Sequence, residues 1–150
     1  MSKKTLALLA CLILAPLVVY FLWPSDESRI RALFREGSRA IEQEKIDDVM
    51  SKVALTYSDE YGLTYLYIRE GMERVFQRLD AIQIEYEITS LAISDTTATA
   101  ELDVRVIATA GSDTGYAVGE AARPVKMRFF LEKERGSWRV AKTAGLPLNF

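Results

Sequence analysis

The sequence has no histidine and only one cysteine, Cys11, among its 150 residues. Without histidine, the chain can form neither a serine–histidine catalytic triad nor a zinc or haem site with a histidine ligand. A single cysteine excludes an internal disulfide. A phosphate-binding loop is also missing, because the GSDTG stretch at residues 111–115 lacks a following lysine and precedes no expected helix.

The charges are nearly balanced in number but unevenly distributed along the chain. Residues 25–150 contain all 21 acidic residues and all but two of the 19 basic ones, so this part is mildly acidic. A surface of that charge argues against nucleic acid as a partner. With 49% hydrophobic and 27% charged residues, the composition excludes a disordered or collagen-like chain.

Residues 6–23 form one uncharged apolar run, LALLACLILAPLVVYFLW. As a helix this run would be about 27 Å long, close to the roughly 30 Å hydrocarbon core of a bilayer. Tyr20 and Trp23 suit the membrane–water interface at its far end. We expect residues 1–24 to be an uncleaved signal anchor that contacts the lipid bilayer through residues 6–23. A cleaved signal peptide and a lipoprotein signal at Cys11 are the alternatives, although no small-x-small cleavage site precedes Ser25.

The charges on either side of this run predict its orientation. Lys3, Lys4 and the terminal amine precede it, whereas Asp26 and Glu27 follow it directly. The positive-inside rule therefore places the N-terminus in the cytoplasm and the rest of the chain outside. We expect a single-pass protein of the inner (cytoplasmic) membrane, with residues 25–150 in the periplasm or outside the cell.

Residues 25–79 have helical periodicity. Ser25 is the expected N-cap of a first helix that carries acidic residues in its first turn. A short second helix is expected around residues 46–53, and a third from Thr64 to Leu79. The apolar positions follow the i, i+3, i+4, i+7 spacing, and in the third helix they are Tyr65, Ile68, Met72, Val75, Phe76 and Leu79.

After Asp80 the apolar period changes from 3.6 to 2. Alternating runs at residues 82–88, 98–106, 125–131 and 138–140 predict an antiparallel meander with one buried face, with turns at 94–96 and 135–137. Residues 111–124 are rich in glycine and alanine, and we expect a loop there that is mobile or overhangs a pocket. The predicted class is α+β, with three helices packed on a curved antiparallel sheet in one domain over residues 25–150.

Two stretches resemble the nuclear transport factor 2-like superfamily, also called the cystatin-like cone fold. The first is KIDDVM at residues 45–50 followed by YSDEYG at residues 57–62, and the second is the final strand GSWRV at residues 136–140. The resemblance extends over about residues 28–145. It implies a pocket between the helices and the sheet, in a superfamily that includes isomerases, dehydratases, transport adaptors and secretion-system assembly subunits.

The strand alternation predicts which side chains line that pocket. The inward set is apolar and contains no carboxylate, because Glu85, Glu101 and Asp103 have the opposite parity. The resemblance implies an inward aspartate base in ketosteroid isomerase-like members, and a histidine with an aspartate in dehydratase-like ones. We therefore expect no catalytic residue, no metal and no cofactor. The alternative is a ketosteroid isomerase-like or dehydratase-like enzyme acting on a hydrophobic substrate in the cone pocket.

The remaining candidates for a ligand site are mostly aromatic, and they are Tyr57, Asp59, Tyr61, Tyr65, Tyr86, Phe129 and Trp138. They either orient a ligand through phenol hydrogen bonds or serve the fold. In the second case Tyr57 packs under the sheet, and Asp59 caps the third helix or fixes the turn before Gly62.

On the outer face of the sheet, two apolar residues stand where polar ones are expected. Ile107 and Phe130, with Arg105 and Arg128 beside them, form the candidate homodimer surface. We expect a membrane-tethered, extracytoplasmic, non-catalytic module that binds a protein partner, itself or a small apolar ligand.

Overall fold

The computed structural model describes the backbone of residues 3–146 and the side chains of residues 8–146. Helix α1 spans Lys3–Leu22 and contains Pro16. In the range with described side chains, no single helix is long and apolar enough to cross a membrane. Leu8–Leu22 and Asp26–Glu42 reach that length and composition only together, as a pair bent by 43°. The side chains of Lys3 and Lys4, which carry the predicted orientation, lie outside the described residues.

Three further helices follow, α2 (Asp26–Glu42), α3 (Ile46–Met50) and α4 (Tyr65–Arg78). The Ser25 hydroxyl caps α2 by accepting a hydrogen bond from the Ser28 amide at 3.2 Å, which confirms the predicted start of this helix. Helix α2 buries one apolar stripe against the sheet, formed by Ile30, Leu33, Phe34 and Ala40.

The sheet consists of β1 (Asp80–Ser94), β2 (Thr97–Ala110), β3 (Asp113–Val118), β4 (Val125–Glu134) and β5 (Ser137–Ala144). All pairings are antiparallel in the order β1-β2-β4-β5, so the predicted α+β class with an antiparallel sheet is confirmed. The long strand β2 pairs with β4 over its first half and with β3 over its second half.

The prediction of a loop over residues 111–124 is wrong for the first half of this segment. Residues 113–118 form β3, which pairs with β2 between Val106 and Ala110. Five of the six β3 residues are exposed, so the segment has no apolar alternation that could reveal a strand. The backbone hydrogen bonds to β2 make it a strand instead.

The predicted parity of the strands is confirmed. The inner face of β2 buries Ala98, Ala100, Leu102 and Val104, while Glu101 and Asp103 point outward and pair with Arg128 and Lys126 of β4. Four register shifts interrupt the strand pairings, and two of them matter here, one between Ile88 and Ser90 and one between Phe130 and Leu131. After the bulge at Phe130–Leu131, Thr143 lies opposite Phe129, so its side chain joins the inner face.

A polar network, here called the Asp26 network, joins the start of α2 to the β4–β5 hairpin. Lys133 Nζ lies 2.8 Å from Asp26 Oδ1, and Trp138 Nε1 donates a 3.0 Å hydrogen bond to the same oxygen. The hydrogen bonds from Lys133 and then from Trp138 hold the pKa of Asp26 below its usual range. The beginning of the domain is thereby fixed to the hairpin that ends it.

Candidate functional site

The middle of the inner face is filled by aromatic rings. Phe34 of α2 lies edge-on to Phe129, with ring centroids 5.1 Å apart, and 6.5 Å from the ring of Tyr86. Among the described residues, no charged side chain is buried in this region or elsewhere, and the buried polar groups of aromatic residues are the Tyr57 hydroxyl and the Trp138 N–H. The interior beneath α2 is therefore packed and apolar, and it holds no carboxylate that could act as a base.

Helix α4 is less completely covered by the rest of the domain than α2 is. None of its residues is buried. Tyr65 and Ile68 in its first turns contact the core, whereas Met72, Val75 and Phe76 on the same side remain only half-buried. The helix contacts mainly α3, to which the Arg69–Asp47 ion pair at 2.8 Å ties it.

The inner face of β1 is also incompletely covered. Ile84, Tyr86 and Ile88 are half-buried, although Val104 and Leu102 of β2, which pair with Tyr86 and Ile88, are buried. Half-buried apolar side chains thus remain on α4 (Tyr65, Ile68 and Met72) and on the inner face of β1 (Ile84, Tyr86 and Ile88). We take these six residues together as the candidate ligand site and call it the α4 cleft.

In the YSDEYG stretch, the polar groups of Tyr57 and Asp59 form hydrogen bonds to other residues of the fold. The Tyr57 side chain is only 4% exposed, and its hydroxyl is hydrogen-bonded to Thr143 Oγ1 at 2.5 Å and donates to Asp59 Oδ2 at 3.1 Å. Asp59 Oδ1 also accepts the amides of Tyr61 and Leu63 at 2.9 and 3.0 Å. Asp59 therefore organises the turn, as the structural interpretation predicts.

The seven candidate ligand-site residues do not form a single site. Tyr65 and Tyr86 line the α4 cleft, and Phe129 belongs to the aromatic filling beneath α2. Tyr61 is 51% exposed on the surface turn. Trp138 lies at the opposite end of β5 from Thr143, five residues and roughly 16 Å away, where it belongs to the Asp26 network.

Two features of this region carried no local sign in the sequence, namely the inward position of Thr143 and the aromatic partners of Phe34. Thr143 reaches the inner face only because of the bulge at Phe130–Leu131, and Phe34 lies far along the chain from both rings that it contacts. The helical period of α2 marks Phe34 as a core residue. Its aromatic partners follow only from the packing of α2 across the sheet.

The candidate homodimer surface on the outer face already has intramolecular partners. Arg128 forms an ion pair with Glu101 at 2.6 Å, and Arg105 donates to the Glu120 carbonyl at 3.0 Å. Phe130 and Ile107 are half-buried. The Phe130 ring lies under the Lys142 ammonium at 5.7 Å, and Ile107 pairs with Tyr116 of β3. This face stays a predicted interface.

Two shallow cavities adjoin α2 on the protein surface. One, of about 220 Å³, lies between α2 and α3, and the other, of about 410 Å³, lies between α2 and the β4–β5 hairpin. Both are bordered by the Lys52–Glu36 ion pair, whose Nζ and Oε2 are 2.6 Å apart. Their charged walls suit neither an apolar ligand nor a buried reaction centre.

An antiparallel sheet packed on a long helix, with an apolar interior, defines this chain as a domain of the cystatin-like cone class. No protein-family model and no curated protein matches the sequence. Solved structures do match: a ketosteroid isomerase-like protein from Erwinia carotovora atroseptica is 18% identical, with a TM-score of 0.62, over 77% of this chain and 91% of that one.

Two more solved structures have the same architecture. A conserved protein from Planctomyces limnophilus is 15% identical, with a TM-score of 0.67, over 79% of this chain and 93% of that one. A domain of unknown function with a cystatin-like fold from Nostoc punctiforme is 19% identical, with a TM-score of 0.62, over 82% and 79%. These likenesses confirm the predicted fold, the one that the nuclear transport factor 2-like resemblance implied.

Proposed function

We propose that this protein is a membrane-tethered binding module that holds a small apolar ligand in the α4 cleft without converting it. The observation that carries the proposal is that the apolar side chains of α4 and of the inner face of β1 stay half-buried, although most of them pack against the same core. Apolar area that the fold leaves half-exposed favours the binding of an apolar molecule.

The lack of chemistry around the cleft supports binding rather than catalysis. Tyr57 is the most buried tyrosine among the described residues, and its hydroxyl is hydrogen-bonded to Thr143 and Asp59. Asp103, the carboxylate of the sheet centre, points outward at 3.7 Å from Lys126 Nζ. The ketosteroid isomerase-like or dehydratase-like alternative needs a free base beside the ligand. Tyr65 and Tyr86 bring phenols rather than carboxylates, and the neighbouring Glu42 carboxylate accepts the Ile84 amide at 2.8 Å.

Binding in the α4 cleft is tested with 1-naphthol as the probe and the full chain in lipid nanodiscs. A ligand that binds only the folded domain raises its melting temperature, so we expect a rise of several degrees at saturating probe. Ile68→Asp places a charge in the cleft and should abolish the rise. The matched control is Leu66→Asp on the same helix, because Leu66 is 68% exposed and the probe should still stabilise this variant.

Two results would contradict the proposed site. One is a wild-type melting temperature that 1-naphthol leaves unchanged. The other is an equal rise in the Ile68→Asp and Leu66→Asp variants, which would assign the effect to the bilayer or to another surface.

The tether is proposed from the apolar run that forms α1 and from its position directly before the domain. We expect alkaline phosphatase fused after residue 150 to be active, since that enzyme folds only outside the cytoplasm. A cytoplasmic fluorescent reporter fused at the same position should then be dark. The reverse pattern would place the domain in the cytoplasm.

A further inference from the structure

Among the described residues, the outer edge of β1 is the longer of two open edges of the sheet, the other being that of the short strand β3. The opposite edge, on β5, is covered because Val140 exchanges backbone hydrogen bonds with Lys52 and Ala54. On β1, the Glu42 carboxylate accepts the Ile84 amide at 2.8 Å, and no other described group outside the sheet bonds to this edge. An uncovered strand edge is a template for a further strand.

The second half of this edge has none of the charges that normally protect one. Residues 88–94, ITSLAIS, are uncharged. Ala92 is exposed, Leu91 is half-buried, and Ile93 is 38% exposed although its side chain lies on the inner face opposite Ala98. An apolar, uncharged and accessible edge of this kind favours pairing with another chain.

The backbone of this segment is oriented for such pairing. Ser94 pairs with Thr97 across a two-residue turn, so these two residues close the hairpin with hydrogen bonds to each other. In an antiparallel ladder, hydrogen-bonded and non-hydrogen-bonded residues alternate. The N–H and C=O groups of Leu91 and Ile93 therefore point away from β2 and toward the open edge.

We propose that the β1 edge is a self-association surface, on which a second copy of this chain adds its own β1 antiparallel around a two-fold axis at Ala92. In this register Leu91 lies opposite Ile93 of the second copy, and the mirrored pair repeats across the axis. Each pair exchanges two backbone hydrogen bonds, because both residues direct these groups outward. The apolar side chains of both pairs lie together on the inner face.

A second copy fits this edge because, in this register, the β1 residues of the two copies can lie opposite each other without a clash of charge or size. No charged residue of either strand faces a like charge, and Ser90, Ala92 and Ser94 on the outer face are small. The contact of about five residues per strand is short, so the dimer is weak and forms at high local concentration. The residues that pair in this dimer, 90–94, differ from those of the outer-face interface around Phe130 and from the six residues of the α4 cleft, although Ile88 adjoins both surfaces.

Disulfide trapping tests the register directly. The two-fold axis places Ala92 opposite itself in a non-hydrogen-bonded pair, with Cα atoms about 4.5 Å apart, within the range of a disulfide. In the full chain with Cys11→Ser, we expect Ala92→Cys to form a covalent dimer under mild oxidation. The matched control is Thr99→Cys, on the same face one strand inward, which should crosslink at least tenfold less.

Charge substitutions at Ala92 test the energetics of the same contact. Ala92→Asp brings two carboxylates directly opposite each other and should weaken self-association at least tenfold. A mixture of Ala92→Asp and Ala92→Lys should restore it, so a tagged Ala92→Asp chain should capture the lysine variant but not an untagged copy of itself. Thermal melting checks that both variants fold, since Ala92 is exposed.

Two outcomes would overturn the proposal. One is equal crosslinking at positions 92 and 99, and the other is equal capture of like-charged and oppositely charged partners. Loss of the dimer in Phe130→Glu with Ala92→Asp unaffected would move the interface to the outer face.

Discussion

Replacing Trp138 with alanine is expected to destabilise the domain by about 4 kcal/mol. Trp138 is 5% exposed and lies in the core cluster that α2 covers, so its removal leaves a cavity of indole size. The substitution also removes the Nε1–H donor, so that Lys133 is the remaining hydrogen-bond partner of the Asp26 carboxylate. The measurement is urea unfolding of the full chain in detergent, followed by far-ultraviolet circular dichroism.

Two other substitutions separate the packing from the hydrogen bond. Trp138→Phe keeps most of the ring and loses the N–H donor, so we expect a cost of about 1 kcal/mol. Trp23→Ala serves as the control for removing a tryptophan, because Trp23 is 66% exposed, and it should change the stability by less than about 0.5 kcal/mol. Equal losses in Trp138→Ala and Trp23→Ala would refute the structural role of Trp138.

The second large effect is expected in alkali, through Tyr57. Burial raises the pKa of Tyr57 to about 12, and the neighbouring Asp59 charge adds to the shift against the opposing Thr143 hydrogen bond. Between pH 10 and 12 the folded chain keeps a proton that the unfolded chain releases. The free energy of unfolding therefore falls through this window, by roughly 2 kcal/mol, whereas below pH 10 this contribution is fully present.

The Tyr57→Phe substitution should lower the free energy of unfolding at neutral pH and raise it, relative to the wild type, in alkali. At pH 7 the variant lacks the hydrogen bonds to Thr143 and Asp59 and should be about 1 kcal/mol less stable than the wild type. Above pH 11 it has no phenol to ionise and should become the more stable of the two. Urea unfolding at pH 7, 9 and 11.5 measures this crossing, with Tyr61→Phe as the exposed control, and parallel pH profiles for all three chains would refute it.

Most of the core could be predicted from the sequence because burial follows the local period of each element. The strand alternation placed Leu102 and Met127 inward and Glu101 outward, and the structure agrees since a one-residue slip would bring the charged set into the core. The Ser25 cap was similarly readable, because it depends on a hydroxyl followed by acidic residues in the first turn.

The features that the sequence did not reveal depend on distant parts of the chain. Strand β3 forms because its backbone pairs with β2. The inward position of Thr143 depends on a bulge that no residue in the sequence indicates. The half-buried state of Met72 and Phe76 is of the same kind, because helical periodicity identifies an apolar side but not how completely another element covers it.

The junction between α1 and the domain has a consequence for how two copies would meet. Only Trp23, Pro24 and Ser25 separate the helices. The Asp26 network holds the start of α2 at Lys133, whose amide donates to the Thr96 carbonyl at the tip of the β1–β2 hairpin. With α1 in the bilayer as proposed, the open edge of β1 would lie close to the lipid surface. Neighbouring copies would then meet by lateral diffusion, with their rotation restricted by the anchor. A contact too weak to persist in dilute solution could then be populated in the plane of the membrane.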